Sequence, residues 1–255
     1  MIQVRNLTKS FGTNLVWENV SFDIEAGETL AIIGKSGSGK SVLLKHLNAL
    51  MYPDAGEVII DGRCVFDLRY GELRKMRQRF GILFQGAALF DSINTFENVA
   101  FPLRYFTNQS ESEIRDHVEE ALAMVNLEGA GPKATSELSG GMRKRVGLAR
   151  AVILKPDYLL YDEPTSGLDP LTSSEINELI VSLAGTLDIT SIVITHDMHS
   201  VLEVAEKVAF IDEKKLSWFG TVQEMQHQDH PQLMKFVRAS EYQIQTKPIS
   251  GAKIG

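Results

Sequence analysis

Gly34-Lys35-Ser36-Gly37-Ser38-Gly39-Lys40-Ser41 fits the phosphate-loop pattern G-x-x-x-x-G-K-[ST]. Its flanks decide what it means. Thr29-Leu30-Ala31-Ile32-Ile33 before it is a short apolar run that reads as a buried strand, and Val42 to Leu50 after it carries leucines at helical spacing. A strand, a glycine-rich turn and a helix N-terminus together make an anion site. The glycines let the backbone wrap closely, N–H groups point inward, and the helix dipole favours negative charge. The contacts expected from this stretch are Gly34, Lys35, Ser36, Gly37, Ser38, Gly39, Lys40, Ser41 and Val42. Lys40 is placed to reach the β- and γ-phosphates of a nucleotide, and the Ser41 hydroxyl to ligate Mg2+.

The rest of the chain has the size and composition to carry such a site. Its 255 residues suit one large α/β domain or two closely joined lobes, and 44% hydrophobic and 23% charged residues are ordinary for a globular core. A net charge of -7 argues against a dedicated nucleic-acid binder. The single cysteine, Cys64, forms no internal disulfide and points to a reducing compartment. No apolar run approaches the roughly 18–20 residues of a membrane span, and the first residues lack the shape of a signal peptide. The expectation is a cytosolic protein.

Outward from the loop, the pattern is strands alternating with helices. Val20 to Ile24 alternates apolar and polar, and Gly56 to Phe66 reads as a hairpin turning at Asp61-Gly62 in a type I′ turn. The basic run from Arg69 to Arg79 reads as a solvated helix face. Phe80-Gly81-Ile82-Leu83-Phe84-Gln85 is a further strand. Residues 86–156 read as mainly helical, with Gly86, Asn94 and Pro102 as breaks and Ser110-Glu111-Ser112-Glu113 as a capping box. Tyr158-Leu159-Leu160-Tyr161 and Ile189 to Ile194 are apolar strands separated by a helix, and Lys207 to Ile211 with Leu216 to Gly220 looks like a closing hairpin. The tail from about Ser240 lacks apolar periodicity and is expected to be extended or mobile. The implied fold class is α/β, with a mostly parallel sheet, an N-terminal antiparallel β part and an inserted helical subdomain. The expected division is a nucleotide-binding core of residues 1–85 and 157–225, a helical part of 86–156 and an extension of 226–255.

Two further stretches carry chemistry. Tyr158 to Tyr161 delivers Asp162 and Glu163 at a strand end, one carboxylate suited to a magnesium shell and its neighbour to polarising an attacking water. Leu138-Ser139-Gly140-Gly141-Met142 opens another helix, with Ser139 as its N-cap and a second anion-binding N-terminus. One nucleotide needs only one such cradle, so a second points to two chains sharing each ATP.

Taken in order, these motifs resemble the ATP-binding-cassette (ABC) ATPases, a P-loop NTPase family, through about residue 225. The matching positions are Phe11, the loop Gly34 to Ser41, Gln85, Leu138-Ser139-Gly140-Gly141, Asp162-Glu163, Ser166-Gly167-Leu168-Asp169 and His196. The resemblance implies that Phe11 stacks on adenine and that Gln85 senses Mg2+ and the attacking water. It implies that His196 senses the γ-phosphate and that Ser139, Gly140 and Gly141 meet ATP bound to the other chain of a homodimer. Asp169 would couple the two sites. Met142 stands where the family's signature most often has Gln.

Leu83 to Ser92, Glu97 to Arg104 and Met142 also look like the ATPase of Mla-type, MCE-associated phospholipid transporters. That likeness implies a peripheral protein on the cytoplasmic side of the inner membrane. Its partners would be permease subunits, an MCE-domain lipid-binding protein and an accessory cytoplasmic subunit, and no nucleic acid. The other expectations are an ATPase for a different substrate, such as an amino acid, and a non-transport regulator of the cell-division type. The tail from Ser240 onward is expected to clasp the neighbouring subunit.

Overall fold

The computed structural model describes residues 1–245. Ten strands and nine α-helices alternate along them. The strands are β1 (Ile2–Phe11), β2 (Asn14–Ile24), β3 (Thr29–Gly34), β4 (Ala55–Ile60), β5 (Arg63–Cys64), β6 (Phe80–Leu83), β7 (Tyr158–Asp162), β8 (Thr190–Ile194), β9 (Lys207–Asp212) and β10 (Lys215–Thr221). The helices are α1 (Lys40–Leu47), α2 (Tyr70–Gln78), α3 (Thr95–Phe106), α4 (Glu111–Met124), α5 (Gly140–Val152), α6 (Pro170–Leu187), α7 (Met198–Val204), α8 (Val222–Gln226) and α9 (Pro231–Gln245).

Every residue of β3 is buried, as its unbroken apolar sequence requires of a strand covered on both faces. It lies parallel between β8 and β9, with Ile32 opposite Ile194 and Ile33 opposite Phe210. The six-stranded sheet runs β10-β9-β3-β8-β7-β6, all parallel except for the β9–β10 hairpin. A four-stranded antiparallel sheet, β2-β1-β4-β5, forms the other layer. Trp17, Val20 and Val58 from this layer share a core with Leu30, Leu160 and Ile192 of the large sheet. On the other side, Leu159, Tyr161 and Val193 pack with Val146, Leu148, Ile176 and Ile180 from α5 and α6. The parallel strands therefore deliver their C-terminal ends to one edge, where functional residues collect in open α/β sheets.

Local chemistry explains the element ends. Asp61 and Gly62 both have positive φ, 49° and 79°, as a type I′ turn demands. Ser110 caps α4 in a capping box with Glu113, and Asn94, Ser139 and Asp169 cap α3, α5 and α6 through their side-chain oxygens. Gly81 lets β6 approach α5: a Cβ there would sit 2.3 Å from the Ala151 carbonyl oxygen.

The structure departs from the sequence expectations in two places. Pro102 does not break the chain but lies inside α3. Val99, Ala100 and Leu103 are buried in the same core as α4 and α5, and this packing offsets the lost backbone hydrogen bond. The chain beyond Ser240 continues as α9 to Gln245, because Leu233 is buried and Phe236 and Val237 pack with it on Phe210 and Met225. Residues 246–255, and with them the clasping tail, lie outside the described residues. No helix among the described residues is long and apolar enough to cross a membrane.

Candidate active site

The phosphate loop starts where β3 ends. Gly34 has φ 154° and passes so close to β9 that a Cβ would lie 2.4 Å from the Ile211 carbonyl oxygen. Gly39, at φ 87°, precedes Lys40 at the start of α1, and its carbonyl accepts from the Trp17 indole at 3.3 Å. A side chain at Gly39 would run into Val16 and Trp17, at 2.3 and 2.7 Å. The Lys40 ammonium is folded into the loop, donating to the carbonyls of Gly34 at 2.8 Å and Lys35 at 3.0 Å. Burial lowers the pKa of Lys40, opposed by the carboxylates of Glu163 and Asp162.

The neighbouring strand ends supply the acidic side. Asp162, last in β7, accepts from the Ser41 hydroxyl at 2.9 Å. Glu163 follows in a left-handed conformation, φ 50°, with its N–H donated to Ile194 of β8 at 2.9 Å. His196 Nδ1 lies 2.9 and 3.0 Å from the two Glu163 carboxylate oxygens. Gln85, just past β6, donates from its amide to the Ser166 hydroxyl at 3.2 Å. These groups meet around one cleft of about 930 Å³, lined by Gly34, Lys40, Ser41, Val42, Gln85, Asp162, Glu163 and His196 among others. The Ser41 hydroxyl, the Asp162 carboxylate and the Gln85 amide oxygen are hard oxygen donors of the kind Mg2+ takes when it keeps further positions for water and nucleotide phosphates.

Other expected positions lie apart from this cleft. Phe11 is 49% exposed, with the Lys9 ammonium 5.5 Å above its ring. Ser139 is exposed and caps α5 by accepting from Met142 N–H at 3.2 Å. Asp169 caps α6, accepting from Thr172 N–H at 3.0 Å, and those bonds hold its carboxyl below the usual range. Gly140 and Gly141 border the same segment: a Cβ on Gly140 would meet Leu168 at 3.4 Å, and one on Gly141 would meet Thr172 at 2.5 Å. The segments of Ser139 and Asp169 thus adjoin, with both residues exposed and neither lining the cleft of the phosphate loop.

Several residues at the site carry no motif. Lys144 of α5 is buried and donates to the carbonyls of Gln85 and, at 3.0 Å, Glu163. Burial pushes its ammonium down to about 8, opposed by Glu163 and Asp162. Arg150 donates to the carbonyls of Ala87 and Ala88, two consecutive residues at positive φ. Phe236, Ala239 and Ser240 of α9 line the cleft. The i, i+3, i+4, i+7 spacing of Leu233, Phe236, Val237 and Ser240 is the signal from which that helix was readable.

Residues 17–166, more than half of the chain, match the ABC transporter family. The probable ribonucleotide transport ATP-binding protein mkl of Mycobacterium leprae is 44% identical over 236 residues, 92% of this chain and 68% of that protein. The chain spans about two thirds of the length of its mycobacterial relatives. The intermembrane phospholipid transport system ATP-binding protein MlaF of Haemophilus influenzae is 40% identical over 238 residues, 93% of this chain and 90% of that one. The methionine import ATP-binding protein MetN of Clostridium tetani is 40% identical over 241 residues, 94% and 76%. Among solved structures, a dimeric post-hydrolysis state of an ATP-binding cassette bound to ADP and Pi superposes with a TM-score of 0.79 at 33% identity, covering 87% of this chain and 99% of that one. Phosphate loop, paired strand-end acids and family match agree: this chain belongs to the ABC transporter family and is one of its ATP-hydrolysing cassettes, using ATP and Mg2+.

Proposed function

We propose that this cassette powers phospholipid transport between the inner and outer membranes of a bacterium. It works as one half of a head-to-tail homodimer, peripheral on the cytoplasmic face of the inner membrane. Residues 1–85 and 157–225 form the nucleotide-binding core, 86–156 the helical subdomain and 226–255 the C-terminal extension. The partners are permease subunits, an MCE-domain lipid-binding protein and an accessory cytoplasmic subunit.

The geometry of the site supports a role for each residue. Lys40, held inside the loop, turns toward the β- and γ-phosphates, exchanging the Gly34 and Lys35 carbonyls for stronger, charged acceptors. Ser41 and Asp162, already hydrogen-bonded to each other, would hold Mg2+ with Gln85, and the bound ion would supply neutralisation of phosphate charge. Glu163 takes the proton of the attacking water, and His196, within reach of both Glu163 oxygens, fixes that carboxylate and meets the γ-phosphate. Phe11 stacks on adenine. Ser139 and Asp169 are exposed and, like Gly140 and Gly141, do not line this chain's own cleft, which supports a role for them at the nucleotide on the other protomer. ATP closes that dimer and hydrolysis reopens it, a two-state motion passed to the permease.

The observation that carries the phospholipid assignment is the segment Leu83 to Arg104 together with Met142, which looks Mla-like. It ends in an exposed aromatic row: Phe90 and Phe101 have ring centroids 4.9 Å apart, and Tyr105 follows 6.3 Å from Phe101. Such a row suits a helix-in-groove contact with a permease. The equal identity to the methionine importer's cassette supports a second reading, import of a small solute. Purification of the tagged chain from detergent-solubilised membranes separates the two. An MCE-domain protein with bound phospholipid is expected; a permease with a solute-binding protein instead would overturn the lipid assignment.

A further inference from the structure

Lys144 is a charged side chain with only 4% exposure, on the helix that Ser139 caps. A buried ammonium costs several kcal/mol unless acceptors and countercharge meet it. Both are present. Its Nζ donates to two main-chain carbonyls from different segments, that of Gln85 after β6 and that of Glu163 after β7. The carboxylates of Asp162 and Glu163 supply the countercharge. One turn further on, Gly147 fixes how closely α5 lies on the Gln85 segment, since a Cβ there would stand 2.7 Å from Leu83 Cδ1 and 3.3 Å from Ala87 Cβ.

The two carbonyls belong to the residues whose side chains handle metal and water. Glu163 needs the restraint most, because a non-glycine residue at φ 50° stays left-handed only when its surroundings hold it. Its N–H is held by the Ile194 carbonyl and its carbonyl oxygen by Lys144 and by Ser166 N–H. Without the ammonium, the Glu163 carbonyl keeps only the 3.2 Å bond from Ser166 N–H, and the aim of the carboxylate is held less firmly.

We propose that Lys144 is a positioning residue for hydrolysis: by bridging the carbonyls of Gln85 and Glu163 it locks the two turns that aim the metal-sensing amide and the water-activating carboxylate. It touches no line of the cleft itself, so it acts on the chemical step and not on nucleotide affinity. The proposal rests on the reading of Glu163 as general base.

The test is steady-state ATP hydrolysis and fluorescent-nucleotide binding by the full chain carrying Lys144→Met, Lys144→Arg or Lys144→Gln, with Glu163→Gln alongside. For Lys144→Met, kcat is expected to fall at least about tenfold with KM and nucleotide Kd within about twofold, part of the roughly 100-fold loss that a full 1 Å misplacement can cause. Lys144→Arg, which keeps charge and several donors, is expected to recover at least about a third of the wild-type kcat, whereas a pure packing defect gives no such rescue. If Lys144→Met does not fold, Lys144→Gln, which keeps one donor group, is judged by the same kcat and KM criteria. A Lys144→Met enzyme within about twofold of wild type in kcat, equal losses in kcat and affinity, or an arginine variant no better than methionine would each overturn the proposal. If Glu163→Gln turns over normally, the reading of the site has failed; if it is inactive while Lys144→Met is normal, only the role of Lys144 has failed.

Discussion

Glu163 and Lys40 bring opposite charges to one cleft, and their replacements separate binding from chemistry. Glu163→Gln keeps the shape and the His196 contact but removes the base, so turnover should fall by about 10²–10⁴-fold with ATP still bound, read by single-turnover hydrolysis and nucleotide retention. Lys40→Ala removes a charge that both orders the loop through Gly34 and Lys35 and meets phosphate, so affinity and turnover should fall together; near-normal ATPase would remove its assigned role. At this scale the sequence pointed to the side chains proposed to act on a nucleotide, because phosphate and magnesium chemistry demand particular residue types at particular spacings. It did not show Lys144 or Arg150, whose partners are main-chain carbonyls that any residue provides. What brings each to its partner is a contact between segments about 60 positions apart, and no local pattern records that.

Elements meet through a few such crossings. The β4–β5 turn is tied to the start of β7 by Asp61, which accepts from Arg79 at 2.6 Å and from the Tyr158 hydroxyl at 3.0 Å, while Arg79 also pairs with Asp157. Partial burial works against the ionised Asp61, but Arg79, the Met1 amino group and Tyr158 together hold it below the ordinary carboxylate range. A carboxyl depressed in the folded state stabilises fully above its unfolded pKa, and loses that contribution as pH falls through the folded value. The Asp61 contribution should therefore vanish in acid, below about pH 4. Asp61→Asn should flatten the acid limb of a pH–stability curve and leave neutral-pH steepness unchanged; an unaltered acid limb would show that solvent screens the cluster. Gly81→Ala tests a different join. The added methyl meets the Ala151 carbonyl and Leu159, and forcing β6 off α5 should cost about 1–3 kcal/mol in urea unfolding. The hairpin and the caps were legible because turn and cap chemistry is local. Pro102 misled, because a helix buried against two others tolerates a proline that an isolated one does not.

At the scale of the whole molecule, alternating strands and helices gave the α/β class, but the order β10-β9-β3-β8-β7-β6 depends on crossovers that periodicity cannot show. That order matters, since placing β3 beside β8 and β8 beside β7 brings Lys40, Asp162, Glu163 and His196 to one edge. Gln85 arrives there from β6 at the sheet's margin, followed directly by the chain that leads into α3. Gln85, the proposed metal-sensing residue, and the exposed row of Phe90, Phe101 and Tyr105 are therefore joined by a short stretch, and α5 grips that stretch through Lys144 and Arg150. Arg74 of α2 stands 5.5 Å over both Tyr105 and Phe106, tying the row to the antiparallel side of the molecule as well. A permease helix seated on these rings would press on the nucleotide site through two joints. Truncating the rings removes buried contact at the centre of such an interface, where aromatic anchors carry most of the affinity. Phe101→Ala with Tyr105→Ala should cut recovery of permease with the tagged chain by about tenfold, roughly 1.4 kcal/mol, while the purified chain still binds ATP. Undiminished recovery would place the docking surface elsewhere and leave the aromatic row without a partner.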